Sequence, residues 1–222
     1  MEIKIDKIIR SRRRTLALQI TPDARLIVRA PKRASLDYIK KTVFKKRLWI
    51  KEKQKIMQKR CQDIVVREFK EGEEFLYLGN QYRLSVVEGA RPLSFDDGFK
   101  LSDIYRNKAK ELFADWYKKK AFEKISERVQ WYAALFGLSH KSIKITDAQK
   151  RWGSCSVEDK LCFSWRLIMA PLGVIDYVVV HELAHLKVKN HSKKFWTQVE
   201  VMMPDYKQHL KWLKNNDHLL SF

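Results

Sequence analysis

Cysteine, glycine and proline are all scarce in this sequence. The chain of 222 residues contains 3 Cys, 7 Gly and 5 Pro. The low glycine and proline content excludes collagen-like and low-complexity proteins. Cys61, Cys155 and Cys162 are too few and too irregularly spaced for a disulfide framework, so we expect a protein of a reducing compartment.

Long hydrophobic runs are absent as well, because charged residues interrupt every apolar stretch after a few positions. No stretch reaches the roughly 20 apolar residues that a membrane span requires. The opening residues alternate charge with isoleucine and lack the apolar region of a secretory signal. With 45% hydrophobic and 12% aromatic residues, the chain is expected to fold as a soluble protein.

Positive charge is abundant and unevenly distributed. The chain carries 46 Lys and Arg against 26 Asp and Glu, a formal charge of +20. Residues 1–70 contain 22 basic and 7 acidic residues, so this third of the chain holds +15 of the excess. Such a field attracts polyanions, which predicts DNA or RNA contact through residues 1–70. A solvated, solubilising surface is the alternative reading.

The order of patterns indicates an α+β protein. Short alternating strands are followed by a long basic helix at about 35–60 and by further strands from Ile64 to about Phe99, with a hairpin turn at Gly79-Asn80. The remainder is mostly helical, with helices at about 102–136, which buries Ile104, and at 174–187. We therefore predict a basic, strand-rich module at 1–100 and a mostly helical domain with a small sheet at 101–222. The boundary near residue 100 is approximate, and the alternative is that both parts contribute to one shared core.

The strongest chemical signal is the segment His181-Glu182-Leu183-Ala184-His185. Residues four apart lie on one face of a helix, so both imidazoles can reach the same metal ion. Glu182 then lies beside the ion, close enough to contact its water. A zinc hydrolase needs this set of two nitrogen ligands, an open position and a carboxylate base. The alternative is a chance pentapeptide on an ordinary helix.

A third ligand is expected from the segment that follows. Asn190 favours a helix end, after which the chain presents His191, and Ser192 can cap a new helix. His191 would complete a three-histidine site. Glu200 is the rival third ligand, or a group that accepts a hydrogen bond from one of the ligands. Asp205 and His209 are weaker candidates.

The segment Arg151-Trp152-Gly153-Ser154-Cys155 is the second candidate site, since its residues form no amphipathic pattern. It could be an exposed strand edge that binds a substrate chain, or an anion pocket around Arg151. Arg166 is either a substrate clamp or a salt-bridge partner. Cys155 and Cys162 are read as packed side chains.

These motifs resemble those of a known family. The residues that carry the resemblance are R-W-G-S-C at 151–155, S-W-R-L-I at 164–168, A-P at 170–171, the run D-Y-V-V-V-H-E-L-A-H-L at 176–186, N-H-S-K-K-F-W at 190–196 and P-D-Y at 204–206. Together they resemble the YgjP-like metal-dependent hydrolases, which are similar to the SprT-like zincin metallopeptidases. R-S-R-R-R-T-L-A-L at 10–18, V-R-A-P at 28–31 and Y-L-G at 77–79 extend the resemblance over nearly the whole chain.

The resemblance implies a cytoplasmic protein with a zincin-like α+β domain that binds one zinc ion, or another divalent metal in its place. It implies His181, His185 and His191 as ligands and Glu182 as the base. Members of the family carry metallopeptidase or UTP pyrophosphatase labels, and SprT-like relatives include DNA-dependent proteases.

We therefore expect hydrolysis by a metal-activated water with Glu182 as general base. The favoured function is a metallopeptidase that acts on peptide or protein and is recruited to nucleic acid by its basic module. One alternative is a nucleoside triphosphate (UTP) pyrophosphatase, for which Arg151, Arg166, Lys187 and Lys189 would supply the cations. The second alternative is a non-catalytic nucleic-acid-binding protein with a structural metal.

Overall fold

The computed structural model of the protein describes residues 3–62 and 67–222. The chain forms two compact units, Met1–Val66 and Arg67–Phe222. The predicted beginning of the second strand region at Ile64 lies outside the described residues. Helices and three small sheets are mixed along the chain, which confirms the α+β class.

The first unit is a small sheet covered by helices. Strands β1 (Lys7–Ser11), β2 (Ala17–Ile20) and β3 (Leu26–Pro31) are arranged in the order β1-β3-β2, with β1 parallel and β2 antiparallel to β3. Helices α1 (Leu36–Lys45) and α2 (Arg47–Gln62) follow. The core of this unit is formed by Leu26, Val28, Ala30, Ile39, Val43 and Ile50.

The single helix predicted at 35–60 is therefore two helices. Ser35 caps α1 as its hydroxyl accepts a hydrogen bond from the Tyr38 N–H at 3.2 Å. At Lys46 the backbone leaves the helical region, with φ −99° and ψ 11°. The sequence gives no local signal for this break, since neither glycine nor proline stands near it.

The second unit begins with a four-stranded sheet. Strands β4 (Glu74–Tyr77), β5 (Asn80–Val87), β6 (Leu93–Phe95) and β7 (Phe99–Ser102) are arranged in the order β4-β5-β7-β6. Helix α3 (Ala109–Leu135) follows a 3₁₀ turn at Asp103–Lys108. The expected burial of Ile104 was wrong, because this residue lies in the 3₁₀ turn and is 70% exposed.

These strands belong to the core of the second unit, so the division between the units lies between residues 66 and 67 rather than near residue 100. Phe75 of β4 stacks on Phe113 of α3 with ring centroids 4.3 Å apart, and Phe99 of β7 lies 4.8 Å from the same ring. All three rings are fully or almost fully buried. Burial of aromatic rings is the largest apolar contribution to such a core.

The C-terminal part contains a second small sheet and three helices. Strands β8 (Ser142–Thr146), β9 (Gly153–Cys155) and β10 (Lys160–Ser164) are arranged in the order β8-β10-β9. A 3₁₀ turn at Trp165–Met169 leads into α4 (Leu172–Lys187), followed by α5 (Lys193–Met202), α6 (Tyr206–Asn216) and a last 3₁₀ turn at Asp217–Leu220.

Helix α4 is stabilised by the burial of its apolar residues and by an ion pair with α3. Its β-branched residues Val178, Val179 and Val180 are buried, which offsets their low helix propensity. Arg128 of α3 donates two hydrogen bonds to Asp176 of α4, at 2.6 and 2.9 Å, and both side chains are mostly buried. Such bidentate pairs fix geometry as well as adding energy.

The β4–β5 turn fixes the start of α4. The N–H groups of Leu78 and Gly79 donate to the carbonyls of Ile168 and Met169 at 2.9 and 3.1 Å. Gly79 has φ +83°, and a Cβ there would lie 2.8 Å from the Pro171 ring. Glycine is therefore required both by the conformation and by the close approach.

Candidate metal centre

Three imidazoles converge at the end of α4. His181 and His185 lie one helical turn apart, and His191 reaches them from the loop between α4 and α5. The Nε2 atom of His191 lies 3.0 Å from that of His181 and 3.2 Å from that of His185. Among the described residues, these three form the group that can offer ligand atoms to one ion, all within 4.8 Å of one another.

The chain beyond α4 orients two of these rings. The Nδ1 of His185 lies 3.0 Å from the carbonyl oxygen of Val188, where the backbone leaves the helix. A proton on Nδ1 is then donated to this carbonyl, which leaves the Nε2 lone pair directed at the other imidazoles. The Asn190 side chain accepts the Ser192 N–H at 3.2 Å, and this turn presents His191.

Phe195 of α5 packs against all three imidazole rings. Its ring is completely buried and lies 4.9, 4.4 and 4.8 Å from the rings of His181, His185 and His191. Sequence reasoning placed Phe195 only on the new helix and missed this role. Its position three residues after Ser192, on the inner face of α5, was the available signal.

Burial favours the neutral form of His181 and His185. Burial, reinforced by the charges of the other two histidines, lowers the pKa of His181 to about 4, and burial also lowers the pKa of His185. The Nδ1 of His181 is buried without a hydrogen-bond partner among the described residues. Neutral imidazole is the form that binds metals, so three converging Nε2 atoms fit a divalent cation such as zinc.

Glu182 lies next to this cluster and is only 5% exposed. Burial raises the pKa of its carboxyl to about 8, while the charge of Arg151 opposes that shift. The carboxylate rests against the backbone of Gly153 in β9, where a Cβ would lie 2.5 Å from Glu182 Oε1. Gly153 therefore leaves the space in which the Glu182 side chain is positioned.

A model of the YgjP-like family, described as a metallopeptidase domain, matches residues 14–216. The chain belongs to the YgjP-like family. As a YgjP-like protein it is a metal-dependent hydrolase, and this family implies a divalent metal at the histidine cluster.

Two solved structures show partial similarity to this YgjP-like chain. The metallopeptidase zymogen abylysin of Pyrococcus abyssi is 20% identical, with a TM-score of 0.37 over 40% of this chain and 92% of that one. The zymogen jannalysin of Methanocaldococcus jannaschii is 20% identical, with a TM-score of 0.36 over 40% of this chain and 94% of that one. No curated protein matches the chain. Within the described ranges, no helix combines the length and apolar character needed to cross a bilayer.

The second candidate segment of this YgjP-like protein forms a free strand edge. Strand β9 is the outer strand of its sheet and pairs with β10 on one side. The backbone carbonyl of Trp152 accepts a hydrogen bond from the Ser164 N–H at 2.9 Å. The Ser156 N–H donates to the backbone carbonyl of Lys160, also at 2.9 Å. Backbone groups alternate in direction along a strand, so those of Gly153 and Cys155 point away from β10.

The other residues of the segment have different surroundings. Trp152 is half-buried at the cavity described below, Ser154 lies opposite Cys162 in the ladder, and Arg151 is exposed. Burial raises the pKa of the Cys155 thiol, so this side chain is not an activated nucleophile. This is consistent with its reading as a packed residue.

Arg166 is buried and paired, which favours its salt-bridge role over that of a substrate clamp. Its guanidinium donates to Asp147 Oδ1 at 2.8 Å and lies over the Trp165 ring, 4.4 Å from the ring centroid. The Trp165 N–H donates to the same carboxylate at 2.7 Å. Arg166 is not among the residues that line the cavity beside Glu182.

The rival ligands lie outside the histidine group. Glu200 of α5 pairs with Lys207 at 3.0 Å, and its carboxylate is exposed. The His209 ring packs against Gly173, where a Cβ would lie 2.5 Å from it, and it pairs with Asp205 at 3.2 Å. Glu200 therefore links α5 to α6, and His209 packs α6 against α4.

A cavity of about 310 Å³ adjoins His181, Glu182 and Gly153. Its remaining walls are mostly apolar and come from the residue before β9, from α4, from α6 and from the last 3₁₀ turn; they are Trp152, Tyr177, Val178, Leu210, Leu213, Lys214 and Asp217. Sequence reasoning missed the contribution of α6, because no local pattern shows that residues 210–217 fold back onto α4.

Proposed function

We propose that this YgjP-like protein is a zinc-dependent peptidase, with His181, His185 and His191 as ligands and Glu182 as general base. The observation that carries the proposal is the convergence of three Nε2 atoms beside a buried carboxylate at a free strand edge. Bound by these ligands, zinc supplies a Lewis acid that polarises the scissile carbonyl and makes water a nucleophile near neutral pH.

Glu182 performs the proton transfers. Its carboxylate accepts a proton from the attacking water as oxygen bonds to the carbonyl carbon, and it returns that proton to the leaving nitrogen when the C–N bond breaks. The absence of a side chain at Gly153 leaves the space that the carboxylate occupies, and burial keeps bulk water away from it. Positioning of this kind contributes a large part of the rate in general acid–base catalysis.

The free edge of β9 supports a peptide as the substrate. An extended segment can add to this edge as a further strand and hydrogen-bond to the outward groups of Gly153 and Cys155. The adjoining cavity, with walls from Tyr177, Leu210 and Leu213, suits an apolar side chain of that segment.

A triphosphate substrate has less support. Of the four cations that this alternative needs, Arg166 is bound to Asp147 at 2.8 Å and Lys189 to Asp159 at 2.7 Å. A purely structural metal would normally take a fourth protein ligand. The group found among the described residues contains only the three histidines.

We further propose that the basic N-terminal part of the chain, residues 1–70, recruits the enzyme to nucleic acid. The support is its charge of +15. Such binding weakens steeply as salt concentration rises. Fluorescence anisotropy with labelled DNA, measured from low to high salt, tests this, and a lack of binding at low salt would remove the proposal.

The Glu182→Gln variant tests the peptidase proposal. The zinc-loaded protein is assayed in parallel against casein, with and without DNA, and against nucleoside triphosphates. We expect casein cleavage that falls about 10²- to 10⁴-fold in Glu182→Gln, because the amide cannot accept the proton. Zinc content should stay unchanged, since Glu182 is not a ligand.

Unchanged casein turnover in this variant would refute the role of Glu182 as base. Release of pyrophosphate from UTP by the native protein, without casein cleavage, would establish the triphosphate alternative instead. The Lys110→Gln variant, which alters an exposed residue of α3, serves as the control for surface changes.

A further inference from the structure

Helices α1 and α2 expose several large apolar side chains that the proposed hydrolysis does not use. Within 14 positions, the exposed fractions range from 40% for Trp49 to 73% for Leu48, and the others are Leu36, Tyr38 and Phe44. Lone exposed apolar residues need no explanation, but a group of this size marks an interaction surface.

One crevice of this surface lies between α1 and strand β2. It has a volume of about 320 Å³ and is lined by Leu16, Leu18, Thr42, Lys46 and Trp49. The crevice thus combines an indole ring and two leucine side chains with a hydroxyl and an exposed ammonium group. A planar aromatic group of a ligand can stack on the indole while an anionic group binds to Lys46.

A second crevice lies on the other side of α1, next to the N-terminal segment. It has a volume of about 560 Å³ and is lined by Ile3, Lys4, Ile5, Lys40, Val43 and Phe44. The Arg47 guanidinium lies over the Phe44 ring, 4.4 Å from its centroid. The two crevices therefore share one composition, an aromatic ring and aliphatic walls bordered by lysine.

We infer that α1 and its two crevices bind single-stranded nucleic acid, with unpaired bases stacking near Trp49 and Phe44 and phosphates contacting Lys40 and Lys46. Aromatic rings between basic residues are the usual means of binding single strands, whereas duplex bases are already stacked and not accessible to such rings. This rests on the nucleic-acid contact proposed above for residues 1–70 and adds its form and its residues.

The net charge supports a polyanionic ligand. Residues 1–66 contain 20 Lys and Arg and 6 Asp and Glu, a charge of +14. On α1 and the start of α2, Lys40, Lys41, Lys45 and Lys46 are all exposed. An anionic lipid surface would meet one continuous apolar face, whereas Phe44 and Trp49 line two different crevices, each of which also contains lysine.

Fluorescence anisotropy of the full chain tests the inference, with a labelled single-stranded oligonucleotide and the duplex of the same sequence. We expect the single strand to bind about tenfold more tightly than the duplex. Trp49→Leu and Phe44→Leu should each weaken single-strand binding at least about fivefold and leave duplex binding unchanged. Phe122→Leu, at an exposed phenylalanine of α3, is the matched control.

Lysine variants separate charge from stacking. Lys40→Gln and Lys46→Gln should weaken the binding of the single strand and of the duplex to a similar degree, and should reduce the salt dependence of binding. Lys110→Gln should have less effect. Casein cleavage without DNA should be the same in all these variants, because none of the changed residues belongs to the metal centre.

Equal affinity for single strand and duplex, with the leucine variants unaffected, would overturn the inference and leave the proposed nucleic-acid contact standing. A lack of binding by either ligand at low salt would overturn both. Binding to vesicles of anionic phospholipid, lost in the leucine variants and without oligonucleotide binding, would show that this surface contacts lipid.

Discussion

The two units of the protein use their apolar residues differently. The second unit packs most of its large hydrophobic side chains into one continuous core around α3 and α4, although Ile104, Phe122 and others remain exposed, and the candidate metal centre lies at the boundary of that core. Among its described residues, the first unit has a core of six buried side chains and leaves Phe44, Leu48 and Trp49 exposed among lysines. Closely packed surroundings suit a site that must hold metal ligands in position, whereas exposed apolar and basic side chains suit the recognition of a partner.

Removal of one candidate metal ligand should have the largest effect on hydrolysis. The consequences of this change should be confined to the second unit. In His181→Ala or His185→Ala, two imidazoles remain and the ion is released, so hydrolysis should cease. Plasma emission spectroscopy measures the bound metal. His140→Ala, at a histidine outside the cluster, should retain it. Full metal occupancy in both ligand variants would contradict the assignment of the site.

A methyl group at Gly153 should have the next largest effect. Gly153→Ala places a Cβ 2.5 Å from Glu182 Oε1, so the carboxylate must move. Displacement by about 1 Å can lower a rate about a hundredfold. We expect kcat for casein to fall by this order while metal content stays unchanged. Cys155→Ala, two residues along the same strand, should have little effect on kcat.

Core truncations should show whether the two units unfold separately. Phe113→Ala in the second unit is expected to cost about 3–5 kcal/mol and Ile39→Ala in the first about 2–5 kcal/mol. Hydrogen exchange of the full chain, followed by mass spectrometry, locates the loss of protection. We expect Ile39→Ala to expose the first unit while metal stays bound. Uniform loss of protection in both variants would show a single cooperative unit.

The smallest expected effect concerns the pH dependence of the Asp147 contacts. Hydrogen bonds from Trp165 and Arg166 lower the pKa of this carboxyl below its ordinary value of 3.8. A lowered pKa means that the contacts stabilise the fold above pH 3.8 and that this contribution is lost as pH falls through the folded-state pKa. Because the carboxylate is largely exposed, Asp147→Asn should cost less than about 1 kcal/mol at pH 7.

Urea unfolding at several pH values measures that difference. The native protein and Asp147→Asn should converge in stability as pH falls through the folded-state pKa of Asp147, where the native carboxyl also becomes neutral. A difference that stays constant over the acid range would mean that the carboxylate charge has no part in these contacts.

Local patterns were sufficient for much of the fold and for the convergence of the three histidines, whose role as ligands stays a prediction. The i, i+4 spacing of His181 and His185 and the helix break at Asn190 are encoded in adjacent residues, and the β4–β5 turn is signalled by Gly79. The structure brings these histidines together as that spacing predicts. The predicted boundary near residue 100 rested on a change in composition, which does not report which core the strands join.

Long-range contacts could not be read from the sequence. The position of Phe195 after Ser192 indicates only an inward-facing residue of α5, not a ring that contacts three imidazoles. Nothing near Leu213 indicates that α6 forms a wall of the cavity. The pairing of Arg166 with Asp147 joins residues 19 positions apart through the fold of the second small sheet. Such contacts depend on tertiary packing, which periodicity and spacing do not specify.

The outward-facing groups of Gly153 and Cys155 set a condition on any target. Strand β9 is three residues long, so its edge can be engaged only by a short stretch whose own amides are unoccupied. Helices and interior strands of a folded target already use those amides. Susceptible bonds would then lie in loops, chain ends or transiently opened regions. Whether a target is folded, more than which residues it contains, would decide where it is cut.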